Sequence, residues 1–286
     1  MVDGFLVAAV VTIPLILVLF MFSKLAKTPA EEKHDRTDDL CRINYPKLGI
    51  LTLSLPLSAF ILTILISILK NLEGTTKTHC NVVNILPSIS ASIGDFTPQR
   101  YIWRLAIGLH SAPRLLYAYT HYTWLCLTSR KAIVDNATFQ IFCQIGVWCD
   151  LLEIFALLGL TVVSSTEYFA FHEGCTVLFL VMALIYMTIV NLLFNWRLAR
   201  YRDRQFSTSY KIKKTCWFMT LISVVMMAYL YWRHNKYCEP YIYSGFAFFE
   251  YVVVIATICF HGSAALDLQD KQLIVNTEKS RFVQHV

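Results

Sequence analysis

The sequence predicts an all-α fold: a polytopic transmembrane helical bundle with six core spans and an extra span at its amino end. Two observations carry that reading. Apolar residues make up 56% of the 286 and charged residues only 15%, whereas a soluble protein carries about 25% charged; the mean hydropathy is +0.53. Apolar runs long enough to cross the hydrocarbon as a helix, about 20 residues, also recur along the chain. None alternates as a membrane β-strand would, so helices are expected to satisfy the backbone in lipid. These features exclude a disordered chain, a collagen and a secreted disulfide scaffold. The net charge of +6 reads by position, because basic residues of membrane proteins sort by side. It gives no nucleic-acid signal. Nine cysteines contain no CxxC pair and no zinc-like Cys/His spacing, so neither a metal nor another cofactor is expected.

The core spans are placed near 48–69, 102–126, 138–163, 175–195, 215–232 and 241–262. They divide the chain into an amino-terminal extension (1–37), a six-span membrane domain (38–275) and a short cytosolic tail (276–286). The extension holds the apolar run 4–22. No basic residue precedes it, no small-x-small cleavage site follows it, and Lys24 and Lys27 stand just behind it. It therefore reads as a retained helix rather than a leader.

Charge gives the sidedness. The 196–214 loop carries Arg197, Arg200, Arg202, Arg204, Lys211, Lys213 and Lys214 against one acid, Asp203. Segments 127–137 and 23–47 are also basic, and alternating spans place all three on the cytosolic face. Loops 70–100, 164–174 and 233–240 then face the lumen. Cys80 and Cys238 fall in these lumenal loops, where a disulfide persists. The sequon Asn136-Ala137-Thr138 falls on the cytosolic side and should stay unglycosylated.

Ionisable residues inside spans each cost about 2.5–3.5 kcal/mol at mid-bilayer on insertion scales, so they call for a reason. The second span is the densest case. At about 100° per residue, Arg100, Arg104, His110, Ser111 and Arg114 share about one third of its circumference. Asp150 and Glu153 on the third span, with Glu250 and His261 on the sixth, can balance that stripe. Two readings stay open: a buried ion-pair network that holds the bundle in register, or a polar chamber whose arginines take a lipid phosphate. The lumenal loops add His79, His172 and His234 with Glu167 and Glu173, groups suited to general acid–base work on an ester. For any one of them, ordinary wet loop chemistry is the commoner explanation. There is no G-x-S-x-G, P-loop or H-E-x-x-H.

Several polar strings resemble one known family closely: Thr75–Cys80, Leu86–Ser90, Pro98–Arg104, Ile107–Arg114, Ser164–Glu167, His172-Glu173, Arg233–Glu239 and Leu268–Val275. They run in order, from about residue 38 to residue 275, as in the post-GPI attachment to proteins factor 2 family. The resemblance implies a Golgi or ER multi-pass protein that acts in lipid remodelling of GPI anchors. After removal of an unsaturated sn-2 chain, the family is needed to restore a saturated one on the lyso intermediate. The implied partners are membrane lipids, GPI-anchored proteins as substrate or cargo, and an acyl donor. No catalytic residue comes with the likeness. Residues 1–37 have no counterpart in it, and Gly262–Asp267 lacks the two tryptophans usual before the aspartate.

Two functions follow as expectations. As an acyltransferase or a component of one, the protein would hold the lipid phosphate with Arg100, Arg104 and Arg114. His79, His172 or His234 would deprotonate the sn-2 hydroxyl, oriented by Glu167 or Glu173, with His110 as a deeper base. As a non-enzymatic adaptor, it would present or transport the lyso lipid. A receptor or channel has less support, since no repeated pore motif is seen.

Overall fold

The computed structural model describes residues 39–130, 137–198, 204–269 and 271–276. The apolar run 4–22, the sequon's Asn136 and the tail 277–286 lie outside the described residues. The elements in order are β1 (Asp39–Asn44), α1 (Tyr45–Lys70), α2 (Leu72–Thr76), α3 (Ile89–Gly94), α4 (Gln99–Arg130), α5 (Ala137–Val162), α6 (Phe169–Leu198), α7 (Arg204–Tyr237), α8 (Ile242–Gly262), α9 (Ala264–Asp267) and β2 (Gln272–Asn276).

Six of these helices are long, and consecutive ones run up and down the bundle. Each packs on the next, from α1 on α4 through to α7 on α8, and α8 returns to touch α1. The result is a closed ring with its axis inside. One end gathers the loops 71–98, 163–168 and 238–241, and a disulfide joins Cys80 to Cys238 there. The other end is closed by an antiparallel ribbon. β1 pairs with β2 in the register Arg42↔Ile274, with a bulge between Asp39 and Cys41. This ribbon is a small addition to an otherwise helical fold.

Local sequence explains where the helices start and stop. In α1, Pro46 sits in the first turn, where its missing N–H costs nothing, and Lys70 sits in the last turn against the carbonyl end. Gly49 brings α1 close to its neighbours: a Cβ there would lie 2.6 Å from that of Ala265 and 2.7 Å from the Tyr117 hydroxyl. Tyr117 donates that hydroxyl to the carbonyl of Tyr45.

Among the described residues, five helices are long and apolar enough to cross a membrane: α1, α5, α6, α7 and α8, the last continued to Asp267. The second expected span, α4, is too polar in composition to stand among them. Its outward face is nevertheless apolar, with Tyr101, Leu105, Leu109 and Tyr119 exposed, while His110, Ser111 and Arg114 are buried. Apolar outside and charged inside is the reverse of a soluble helix. Leu51, Leu62, Leu69, Trp148, Val162 and Val225 make the same outward surface on the other helices. The chain is a multi-pass helical membrane protein.

Candidate functional site

The ring encloses a cavity of about 160 Å³. Its wall on α8 runs from Phe246 to Gly262, about 24 Å at 1.5 Å per residue. The lining is mostly apolar, with Leu53, Ile93, Trp103, Ile107, Phe179 and Val253 among it. Polar side chains enter at two levels. Ser90, Thr176 and Glu250 stand towards the disulfide end, and His110, Arg114, His121, Asp150 and His261 towards the ribbon.

At the ribbon level α4, α5 and α8 bring four predicted residues together. Arg114 Nη2 donates to Glu153 Oε1 at 2.5 Å and to Asp150 Oδ1 at 3.3 Å. Asp150 and Glu153, three apart on α5, present both carboxylates on one face. His261 Nε2 lies 2.6 Å from Arg114 Nη2 and 3.0 Å from Glu153 Oε1, so the position of its proton decides which it bonds. Tyr186 stacks on the His261 ring with 4° between planes. Nearby, His110 Nδ1 lies 2.9 Å from the carbonyl of Thr52; an acceptor there makes that nitrogen the N–H donor.

A second buried ion pair closes the ribbon end. Lys213, only 1% exposed, reaches Asp267 Oδ2 at 2.6 Å and the hydroxyls of Ser209 and Ser263 at 2.7 Å each. His121 Nε2 is 3.3 Å from the same carboxylate oxygen. The sequence reading counted Lys213 among loop cations and did not single out His121 or Asp267. The spacing Ser209–Lys213, four apart on one helical face, was the available signal.

The disulfide end distributes the remaining predicted residues. Arg100 pairs with Asp95 at 3.1 Å and Arg104 with Glu167 at 2.6 Å. The two therefore do not join Arg114, which is ten residues or about 15 Å further along α4. Arg104 also donates Nε–H to the carbonyl of Thr161. Glu167 accepts from the Ser164 N–H and hydroxyl, and these bonds, aided by Arg104, hold its carboxyl below the usual range. Glu239 is likewise held low by the hydrogen bonds from Arg233. Glu173 and His79 are exposed. His234 Nε2 is 3.0 Å from Thr78 Oγ1, and its ring meets His79 edge-on. Those two histidines approach Cys80, but a disulfide sulfur is no thiolate ligand.

Glu250 does not join the other acids. It lies eleven residues from His261 on α8, about 16 Å away along the helix, and accepts the backbone N–H of Ile89 at 2.9 Å and that of Ser90. Further bonds pin the same segment to α8. Ser244 Oγ accepts the N–H of Ile85 at 2.8 Å, Tyr243 donates to Ser88 Oγ at 3.3 Å, and Tyr251 donates to the Pro87 carbonyl. The short helix α3 is thus held rigidly at the cavity wall. On it, Ser90 Oγ meets His172 Nε2 of α6 at 3.0 Å.

A ring of helices around an axial cavity, charged within and apolar without, defines a multi-pass membrane protein. Residues 44–271 match the model of the Frag1/DRAM/Sfk1/Cwh43P N-terminal domain. Over 242 residues the chain is 37% identical to post-GPI attachment to proteins factor 2 of Caenorhabditis elegans, covering 84% of this chain and 91% of the relative. It is 39% identical over 242 residues to a Xenopus tropicalis protein named acyltransferase PGAP2, with 83% and 93% covered. A Drosophila melanogaster post-GPI attachment to proteins factor 2 is 29% identical over 261 residues, with 88% and 97% covered. The chain belongs to the post-GPI attachment to proteins factor 2 family. No solved structure matches it.

Proposed function

We propose that this chain serves fatty-acid remodelling of GPI anchors in the Golgi or ER membrane, restoring a saturated sn-2 chain on the lyso intermediate. The observation that carries this reading is the long, mostly apolar cavity with polar groups at both levels. The names of the relatives supply the pathway. An acyl chain is the ligand whose shape fits a narrow apolar slot, and about 24 Å of wall exceeds half of the roughly 30 Å hydrocarbon core. The sidedness read from loop charge puts the disulfide end in the lumen, where the anchor's phosphoinositol lies. There Arg104, whose side chain is 30% exposed beside a Glu167 that is 43% exposed, exchanges that carboxylate for the lipid phosphate. Arg114 stays with its own acids. His172, bonded to the wall residue Ser90, is the histidine base at that end; His110 is the deeper one. GPI-anchored proteins are the substrates, and an acyl donor is the second reactant.

A second reading, a lipid or cargo adaptor without turnover, is favoured by one observation: Arg100 and Arg104 each already hold a carboxylate of the chain. Both readings are tested in cells that lack the protein. Restoring it should convert a lyso or unremodelled anchor to the saturated diacyl form, read by mass spectrometry of released anchors. Purified protein in liposomes then separates them, because the adaptor binds the lyso lipid without making product. An anchor lipid profile unchanged by loss of the protein would refute both.

A further inference from the structure

The Ser90–His172 pair has the arrangement of an activated nucleophile. His172 Nδ1 lies 2.9 Å from the carbonyl oxygen of Val163. A carbonyl only accepts, so the ring proton of the neutral imidazole is on Nδ1 and the lone pair is on Nε2. Nε2 faces Ser90 Oγ at 3.0 Å, and the hydroxyl donates to it. The carbonyl thus fixes the tautomer, as the third member of a catalytic triad does. His172 is 4% exposed, whereas Ser90 lines the cavity. The base is shielded and the nucleophile faces the space assigned to the acyl chain. Two rigid devices hold the pair: the bonds from α8 to segment 85–90, and the turn 163–167, whose Ser164 is locked by Glu167. A buried structural pair would not need its hydroxyl on the wall of this cavity.

We propose that Ser90 is the catalytic nucleophile, activated by His172, and carries the acyl group as a serine ester between donor and acceptor. This rests on the acyl-transfer reading above. In the first half, Ser90 Oγ bonds the carbonyl carbon of a long-chain acyl ester or thioester. His172 Nε2 takes the serine proton and delivers it to the departing alcohol or thiol as the old C–O or C–S bond breaks. In the second half, the sn-2 hydroxyl of the lyso lipid attacks the serine ester. Its proton passes to His172 and then to the released Ser90 Oγ, and the enzyme is regenerated.

The test uses the full-length protein in vesicles, with lysophosphatidylinositol as acceptor. One arm supplies radiolabelled dipalmitoyl phosphatidylcholine, the other radiolabelled palmitoyl-coenzyme A; the arm that yields product names the donor. A long-chain alkyl fluorophosphonate should label the wild type, with the adduct mapped to Ser90. Ser90→Ala should lose the label and drop transfer by at least about a hundredfold while keeping the Cys80–Cys238 disulfide and a monodisperse detergent profile. Ser90→Cys should retain a hydroxylamine-sensitive acyl adduct, which a merely structural serine would not form. Transfer by Ser90→Ala at the wild-type rate would overturn the nucleophile and leave the acyl-transfer function standing. Wild type that binds the lyso lipid but forms neither adduct nor product would overturn both.

Discussion

The two levels of the cavity solve the problem of polar atoms in lipid differently. Towards the ribbon the polar groups are charged and cancel one another: Arg114 against Asp150 and Glu153, Lys213 against Asp267. Towards the disulfide end the groups on the wall are a serine, a threonine and a carboxylate that accepts backbone N–H groups. Ions already matched with each other have little left to offer a ligand, and separating them inside a bundle is costly. A hydroxyl held against a histidine lone pair, by contrast, is free to react. The ribbon half therefore reads as register and stability, and the disulfide half as chemistry.

That contrast can be broken most forcefully at Arg114. Replacing it with alanine strands two buried carboxylates and should cost about 3–5 kcal/mol, read as a large fall in thermal stability in detergent. Converting Arg114 and Glu153 together to leucine should recover most of the loss, because Asp150 then has His261 alone beside it. A double variant as unstable as the single one would show that the network does more than cancel charge. Next in size is the disulfide, which ties residues 158 apart. Cys80→Ser should cost about 2–4 kcal/mol, and added reductant should destabilise the wild type but not the variant.

The smallest effect concerns Glu167. Its carboxyl is held below the ordinary glutamate value by the Ser164 bonds, so its ionised form contributes order to the 163–168 turn at neutral pH. That contribution is lost as the pH falls through the depressed value. Protection from hydrogen exchange in this turn, after correction for the intrinsic pH dependence of the exchange rate, should fall on acidification in the wild type and stay constant in Glu167→Gln. Exposure of both partners keeps the effect small.

Much of this arrangement was legible in the chain. The apolar runs located the long helices, and the stripe Arg100–Arg114 on α4 already required acids inside the bundle. Asp150 and Glu153 were visible as a pair because three residues put them on one face. Longer-range partnerships were not legible. Ser90 and His172 are 82 apart, and a serine in a polar string carries no mark of its histidine. Lys213 read as a loop cation because charge alone ended the apolar run, whereas α7 begins at Arg204. The ribbon joins 39–44 to 272–276, a pairing of distant segments without a hairpin turn between them. Glu250 was grouped with the other acids by charge, yet its helix position serves α3 instead.

The decisive measurement compares two variants in cells that lack the protein: Ser90→Ala, at the neutral level, and Lys213→Met with Asp267→Leu, at the charged level away from the cavity wall. The quantity is the ratio of lyso to saturated diacyl anchor, normalised to the amount of each protein folded in the membrane. The account predicts that Ser90→Ala leaves the lyso form in excess while the double variant restores the saturated anchor. Full restoration by Ser90→Ala, with failure of the equally abundant double variant, would contradict it.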